Sequence, residues 1–288
     1  MRKIKKDNIE KRKLIICTLL ITLLFSFVFF YFKDRFRFNF RENIFEEDYK
    51  KNSLLFLGEN IKNTETNKIL ERKNILAKSY IIYDLTNKKL ILGEKENEKF
   101  PLASLTKLMT AYIALDNCND VLKLELDKLL IASDNESANN IADNCPNSVE
   151  FIKKMNEVAN KNLLNMTYTN PSGLDTDEDL ESGAEITASN YGSAISVVKL
   201  IDLLYSKNPE ILSHTTRAIF SGVKNTNEAV SEIPFLVGSK TGFTDVAGGN
   251  LATIYEITKE SRFAIVVMGS TKEGRYKDTE LLLNYYLK

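Results

Sequence analysis

Ser104 and Lys107 offer this chain its first route to covalent chemistry. On a helix, residues three apart share a face, so the serine hydroxyl would be held beside the lysine amine. A neutral amine can take the hydroxyl proton, and the positive end of a helix dipole favours the charge that then develops on oxygen. Spacing alone also describes an ordinary buried helix, since Ser196 and Lys199, and Ser221 and Lys224, keep the same interval. The usual alternative base is nearly missing, His214 being the single histidine. That argues against a zinc centre and against a Ser-His-Asp triad, so a nucleophilic serine here needs another base unless it uses His214. Cys17, Cys118 and Cys145 form no C-x-x-C pair, and no metal or cofactor is expected. The 39 basic residues balance 39 acidic ones, which leaves nucleic-acid binding without support.

Two further polar clusters stand in apolar surroundings. Ser133, Asp134 and Asn135 interrupt two apolar helical periodicities, and Lys240, Thr241 and Gly242 end an apolar strand-like run. S-x-N recurs at Ser137 and Asn139 and at Ser206 and Asn208, whereas K-T-G occurs once. Each cluster has a local alternative. Ser133 and Glu136 fit an S-x-x-E capping box, Lys240 fits a solvated strand end, and Thr241 is a common strand residue.

The elements that must position these groups follow from the patterning. Leu108, Ala111, Tyr112 and Leu115 make one apolar stripe of a helix behind Ser104, with Pro101 just ahead of its first turn. Residues 79–84 and 89–93 read as a β-hairpin turned by residues 85–87. A helix over 122–132 breaks at Ser133, resumes with Ala138, Ile141 and Ala142, and ends before Pro146. Val149, Ile152, Met155 and Ala159 mark another helix. A polar loop, 170–183, leads to Thr187, the expected N-cap of a long helix to about Tyr205. Three strands, 234–241, 249–258 and 262–269, precede a last helix over 276–287 with Leu282, Leu283 and Tyr286 inward. Strands at both ends with helices between them predict an α+β domain, one sheet assembled from N- and C-terminal segments.

That domain is expected over residues 75–288. Before it, seven basic residues within 1–13 precede an uncharged run, 14–32, of nineteen residues. As a helix this run is about 28 Å long at 1.5 Å per residue, the thickness of a bilayer core. No small-residue cleavage site follows, so the expectation is one uncleaved transmembrane helix with a cytoplasmic tail and an extracytoplasmic remainder. Residues 33–74 read as a stalk, its Phe36, Phe38 and Phe40 near the headgroups. Cys118 and Cys145 would then face an oxidising exterior, where a disulfide requires Cα atoms within ~7 Å.

S-x-x-K, S-D-N and K-T-G, in that order, are the signature shared by class A β-lactamases and penicillin-binding proteins. The chain resembles one branch in particular, the D-alanyl-D-alanine carboxypeptidases among the low-molecular-weight penicillin-binding proteins. The resemblance is carried by the stretch 80–110, by Met155 and Asn156, by Asn-Pro-Ser-Gly-Leu at 170–174, and by residues 239–248. It implies a β-lactamase/transpeptidase-like fold, an antiparallel sheet flanked by helices with a helical lobe, and a site between sheet and lobe. It also implies the reaction: removal of the terminal D-alanine from peptidoglycan stem pentapeptides through an acyl-serine, with β-lactams as covalent inhibitors. Carried over, Ser104 is the nucleophile and Lys107 its base, neutral because burial and the nearby cation Lys240 lower its pKa. Ser133 relays a proton to the leaving amine, and Asn135 holds the acyl-side amide. Lys240 and Thr241 bind the terminal carboxylate, and the N–H groups of Ser104 and Phe243, beside Gly242, form the oxyanion hole.

The sequence departs from the family at three places. Only 28 residues separate Ser104 from Ser133, so a hairpin-bearing excursion is missing from the cleft wall. Phe243 stands where many carboxypeptidases carry His; related D,D-endopeptidases tolerate an aromatic there. The separate C-terminal β-domain and amphipathic anchor of many relatives are expected to be absent, the N-terminal span replacing that anchor. A class A β-lactamase would need a glutamate in the loop after the second motif, and 170–185 holds no E-x-x-N. A non-catalytic penicillin-sensing module is argued against by the presence of every polar motif residue.

Overall fold

In the computed structural model, residues 74–118, 123–145, 150–175, 187 and 190–288 are described. The expected tail, membrane span and nearly all of the stalk lie outside them. Among the described residues no helix is long and apolar enough to cross a membrane.

The sheet is built as the patterning requires. β1 (Ser79–Asp84) and β2 (Lys89–Glu94) form the hairpin, and β1 pairs antiparallel on its other side with β10 (Ser261–Ser270). With β9 (Gly248–Thr258) and β8 (Leu236–Thr244) the order is β2-β1-β10-β9-β8, so the two ends of the domain share one sheet. The strand side chains alternate between two faces. Ala264, Val266 and Met268 join the main core, while Phe263 on the other face stacks on Tyr286 of the last helix. Burial on both faces explains why β9 and β10 read as nearly unbroken apolar runs.

The helical part begins after β3 (Lys99–Pro101). A 3-10 turn, Ala103–Thr106, leads into α1 (Lys107–Asn117), so Pro101 ends a strand rather than preceding the helix directly. Next come α2 (Lys123–Asp127), a π-helical turn (Lys128–Ala132), α3 (Asn135–Asn144) and α4 (Phe151–Lys161). No strand lies between Lys107 and Ser133 among the described residues, consistent with a missing excursion. The long helix, α5, is Ala194–Lys207 and not a helix capped by Thr187. Before it the chain forms β5 (Tyr191–Ser193), which pairs with β3 and with β4 (Met166–Thr167). Cross-strand pairing won over the cap because buried Asn190 fixes the approach: its carbonyl accepts from Leu102 N at 2.9 Å. α6 (Pro209–His214), the hairpin β6 (Ile219–Phe220) and β7 (Val223–Lys224), and α7 (Gly274–Tyr286) complete the order.

Cys118 and Cys145 form a disulfide, their Cα atoms 4.8 Å apart. It joins the C-terminal ends of α1 and α3, the helices that begin at Lys107 and Asn135. Closing a loop of this sequence separation removes unfolded-state entropy worth about 3 kcal/mol. Replacing both cysteines by serine should therefore lower unfolding stability by about that amount. A urea titration showing no change would mean the bond is absent in the isolated protein.

Candidate active site

The turn that carries Ser104 is a strained piece of chain. Ala103 has φ 45°, and of the four residues in the turn Ser104 alone is not buried. Asn250 on β9 holds the turn to the sheet, its Nδ2 donating to the carbonyls of Pro101 at 2.9 Å and Leu102 at 3.1 Å. Gly242 on β8 lies so near that a Cβ there would come within 3.2 Å of Ser104 N and 3.1 Å of Leu102 O. Glycine is needed because two backbones meet. The loop 170–174 presses on the same turn from another side. Gly173, at φ +83°, would put a Cβ 1.9 Å from Ala103 O, so no other residue fits. Thr110 Oγ1 donates to Pro171 O at 2.6 Å, and Asn190 Nδ2 donates to Thr106 Oγ1 and to Asn170 O, both at 2.9 Å.

Lys107 is fully buried, and its Nζ has three partners. It lies 2.8 Å from Ser104 Oγ, 2.7 Å from Asn135 Oδ1 and 2.7 Å from the Ser172 carbonyl oxygen. Burial lowers its pKa to about 7, opposed by the Asp134 carboxylate, which favours the charged form. Burial is thus the cause; Lys240 is not needed for the shift that the sequence assigned partly to it. Two of the partners accept only. A neutral amine therefore gives its two N–H bonds to Asn135 and Ser172 and keeps its lone pair for the Ser104 hydroxyl.

Ser133 is set by backbone. The π-turn ends on it, and it takes the left-handed conformation, φ 59°. Its Oγ accepts from Lys240 Nζ at 2.8 Å, and Nζ also donates to Thr241 O at 2.8 Å. The cap of α3 is a different residue from the one the S-x-x-E pattern names. Asp134 accepts from Ser137 N and from Ser137 Oγ, both at 2.7 Å, so Ser133 is spared and Ser137 is committed to the cap. That bonding holds the Asp134 carboxyl below its ordinary range.

Lys240 is also buried, and its pKa is pushed well below the ordinary value by burial, then by the cations Lys107 and Arg275. Arg275, at the start of α7, donates Nη1 to Gly242 O at 2.8 Å and Nη2 to Tyr276 Oη at 2.8 Å. Among the described residues none of these three bases is ion-paired with a carboxylate. Thr241 Oγ1 is 2.6 Å from Thr226 Oγ1. Phe243 is 40% exposed, with Lys272 Nζ 5.5 Å from its ring centre. The structure thus links Ser104, Lys107 and Asn135 in one cluster and Ser133, Lys240 and Thr241 in another, with Gly242 against the turn that carries Ser104. Arg275, Thr226 and the Ser172 carbonyl were not foreseen. The first reads as a solvated helix residue, and the last is a backbone atom, whose role the side chain of Ser172 does not announce.

A profile of the Peptidase S11 family, described as D-alanyl-D-alanine carboxypeptidase, matches residues 63–128 and 120–272. The chain belongs to this family. Among relatives, a D-alanyl-D-alanine endopeptidase of Haemophilus influenzae is 28% identical over 242 residues, 69% of this chain and 77% of that protein. The D-alanyl-D-alanine carboxypeptidase DacF of Bacillus subtilis is 23% identical, over 73% of this chain and 61% of that one. Penicillin-binding protein D2 from Listeria monocytogenes, solved with cefotaxime bound, shares the fold. Its TM-score is 0.65 at 24% identity, covering 74% of this chain and 98% of that one. The expected α+β penicillin-binding fold is therefore the one adopted.

The two S-x-N candidates separate on this geometry. Ser137→Ala should cost about 1 kcal/mol of stability through its lost hydrogen bond and leave β-lactam acylation nearly unchanged. Ser133→Ala should do the reverse, slowing acylation strongly with little change in the unfolding midpoint. Stopped-flow acylation and thermal melts of both variants would reveal an opposite pattern.

Proposed function

We propose that the chain is a serine D-alanyl-D-alanine carboxypeptidase of peptidoglycan stem peptides, with residues 75–288 as its extracytoplasmic catalytic domain. Residues 14–32 anchor it as a single span, after a cytoplasmic tail over 1–13 and before a stalk over 33–74. The observation that carries the enzymatic reading is the Lys107 amine, buried, its pKa lowered to about 7, and 2.8 Å from Ser104 Oγ. A merely structural lysine has no reason to be held neutral beside a half-exposed hydroxyl.

In this reading Ser104 Oγ attacks the carbonyl carbon of the penultimate D-alanine while its proton passes to Lys107 Nζ. The oxyanion is held by the N–H groups of Ser104 and Phe243, which the close approach of Gly242 sets side by side. The C–N bond then breaks as a proton reaches the leaving nitrogen through Ser133, oriented by Lys240. Water attacks the ester, the acid leaves, and Ser104 regains its proton. Asn135, with its oxygen on Lys107, has its amide N–H₂ left for the acyl-side peptide. Lys240, Thr241 and Arg275 supply the field that receives the terminal carboxylate, whose charge in turn favours protonation of Lys240. β-Lactams acylate the same hydroxyl, as the cefotaxime and ampicillin complexes of the Listeria relative suggest by likeness.

A second reading, D,D-endopeptidase action on crosslinks, uses the same chemistry with a larger leaving group. The exposed Phe243 ring favours it, and so do relatives named endopeptidases.

Two outcomes test the reading. Full-length protein should release D-alanine from diacetyl-Lys-D-Ala-D-Ala, and Ser104→Ala should abolish both that release and labelling by fluorescent penicillin while remaining folded. Labelling that survives in the variant would remove the mechanism. Acylation should also accelerate as pH rises through about 7, because below it Lys107 already holds the proton it must accept. A rate that is flat across that range excludes Lys107 as the base.

A further inference from the structure

We infer that Thr226 is a positioning residue that decides which way the Thr241 hydroxyl presents its hydrogen, and so tunes recognition of the terminal carboxylate; this rests on the carboxylate site proposed above. Thr226 belongs to none of the motifs. It lies between β7 and β8, and it touches one cluster directly, at Thr241, and the chain just ahead of another, at Ile131. Its N–H donates to Ile131 O at 3.0 Å, two residues before Ser133. Its Oγ1 lies 3.2 Å from the same carbonyl and 2.6 Å from Thr241 Oγ1.

Counting protons turns this contact into a switch. A hydroxyl has one hydrogen and two lone pairs, and the Ile131 carbonyl can only accept. With Thr226 donating to Ile131, the short contact to Thr241 requires Thr241 to donate to Thr226. Thr241 then offers only lone pairs to anything else. A carboxylate is acceptor-only, so this arrangement repels it. To bind a carboxylate, Thr241 must turn its hydrogen outward, and Thr226 must turn its own hydrogen to Thr241. The exchange leaves no buried group unpaired, because Ile131 O keeps the Thr226 N–H. In the rotated state Thr241 accepts from Thr226 while donating to the carboxylate, and each bond polarises the other.

The surroundings keep Thr226 in place whichever way its hydrogen points. Its carbonyl accepts from Tyr276 Oη at 3.0 Å, and Tyr276 Oη accepts from Arg275. On either side, Asn225 Nδ2 donates to Thr215 O at 2.7 Å and Asn227 Nδ2 donates to Ser239 Oγ at 3.1 Å. A β-branched side chain is stiff at χ1, so the oxygen stays where those bonds put it. The same anchors should hold the loop when the hydroxyl alone is removed.

The test compares diacetyl-Lys-D-Ala-D-Ala with its C-terminal carboxamide, using full-length wild type, Thr226→Val and Thr226→Ser. Thr226→Val should lower kcat/KM on the acid a few-fold, chiefly through KM, because Thr241 then meets the carboxylate without the inward donor that polarises its hydroxyl. On the carboxamide it should change little, and Thr226→Ser should recover the acid. Equal losses on acid and amide, no loss on either, or no recovery with serine would overturn the assignment. If the valine variant does not fold, Thr226→Ala removes the hydroxyl without new bulk and must show the same split. A wild type that treats acid and amide alike would overturn the carboxylate site and this inference together. A discriminating wild type beside an equally discriminating Thr226→Val overturns the inference alone.

Discussion

A lysine amine buried with no carboxylate among its hydrogen-bond partners is the constraint on which the site depends. Transferring a charged ammonium out of water is costly, so the group yields by giving up its proton. What makes that tolerable at Lys107 is that all its remaining hydrogen-bonding capacity is matched, by Asn135, by the Ser172 carbonyl and by Ser104. Those partners come from three separate segments: the start of α3, the loop 170–174 and the turn before α1. Each is anchored by contacts of its own, the Asp134 cap, Thr110 on Pro171 O and Asn250 on the turn. Local folding and local basicity are therefore the same problem.

The sheet adds the second half. β8 is an edge strand, and an uncovered edge invites pairing with other chains. Here the turn that carries Ser104 lies against it at Gly242, and the buried Lys240 and Arg275 gather beside it. The edge is thereby kept apart from casual partners, and among the described residues neither Lys240 nor Arg275 is ion-paired with a carboxylate.

Much of this was legible because it is periodic or rare. The β1–β2 hairpin, the three closing strands and the single K-T-G could be read from alternation and from polar residues in apolar runs. The break at Ser133 was also visible, but its mechanism was not. A capping pattern names Ser133, whereas the chain caps with Asp134 and twists Ser133 into the left-handed region, a choice decided by packing of the π-turn. Thr187 misled for a similar reason, since the strand pairing of Tyr191–Ser193 outweighs a capping preference of about 1 kcal/mol. Ser172 contributes a carbonyl, which no side-chain code can announce. Arg275 and Thr226 act across the fold from their sequence neighbours, and only the long-range pairing of the sheet brings them in.

That sheet pairs β1 with β10, the first strand of the domain with the last. Contacts so distant along the chain must await the closing of a long loop, which makes them late events in folding. As the chain emerges during synthesis, Ser104 and Lys107 are made early, while Lys240 and the strands that hold the turn follow near the end. Until then the turn before α1 has neither the β9 anchor nor the β8 edge, and Lys107 lacks the burial that lowers its pKa. The surroundings that lower the Lys107 pKa thus exist only once both ends of the domain are present, and an incomplete chain carries the signature residues without them.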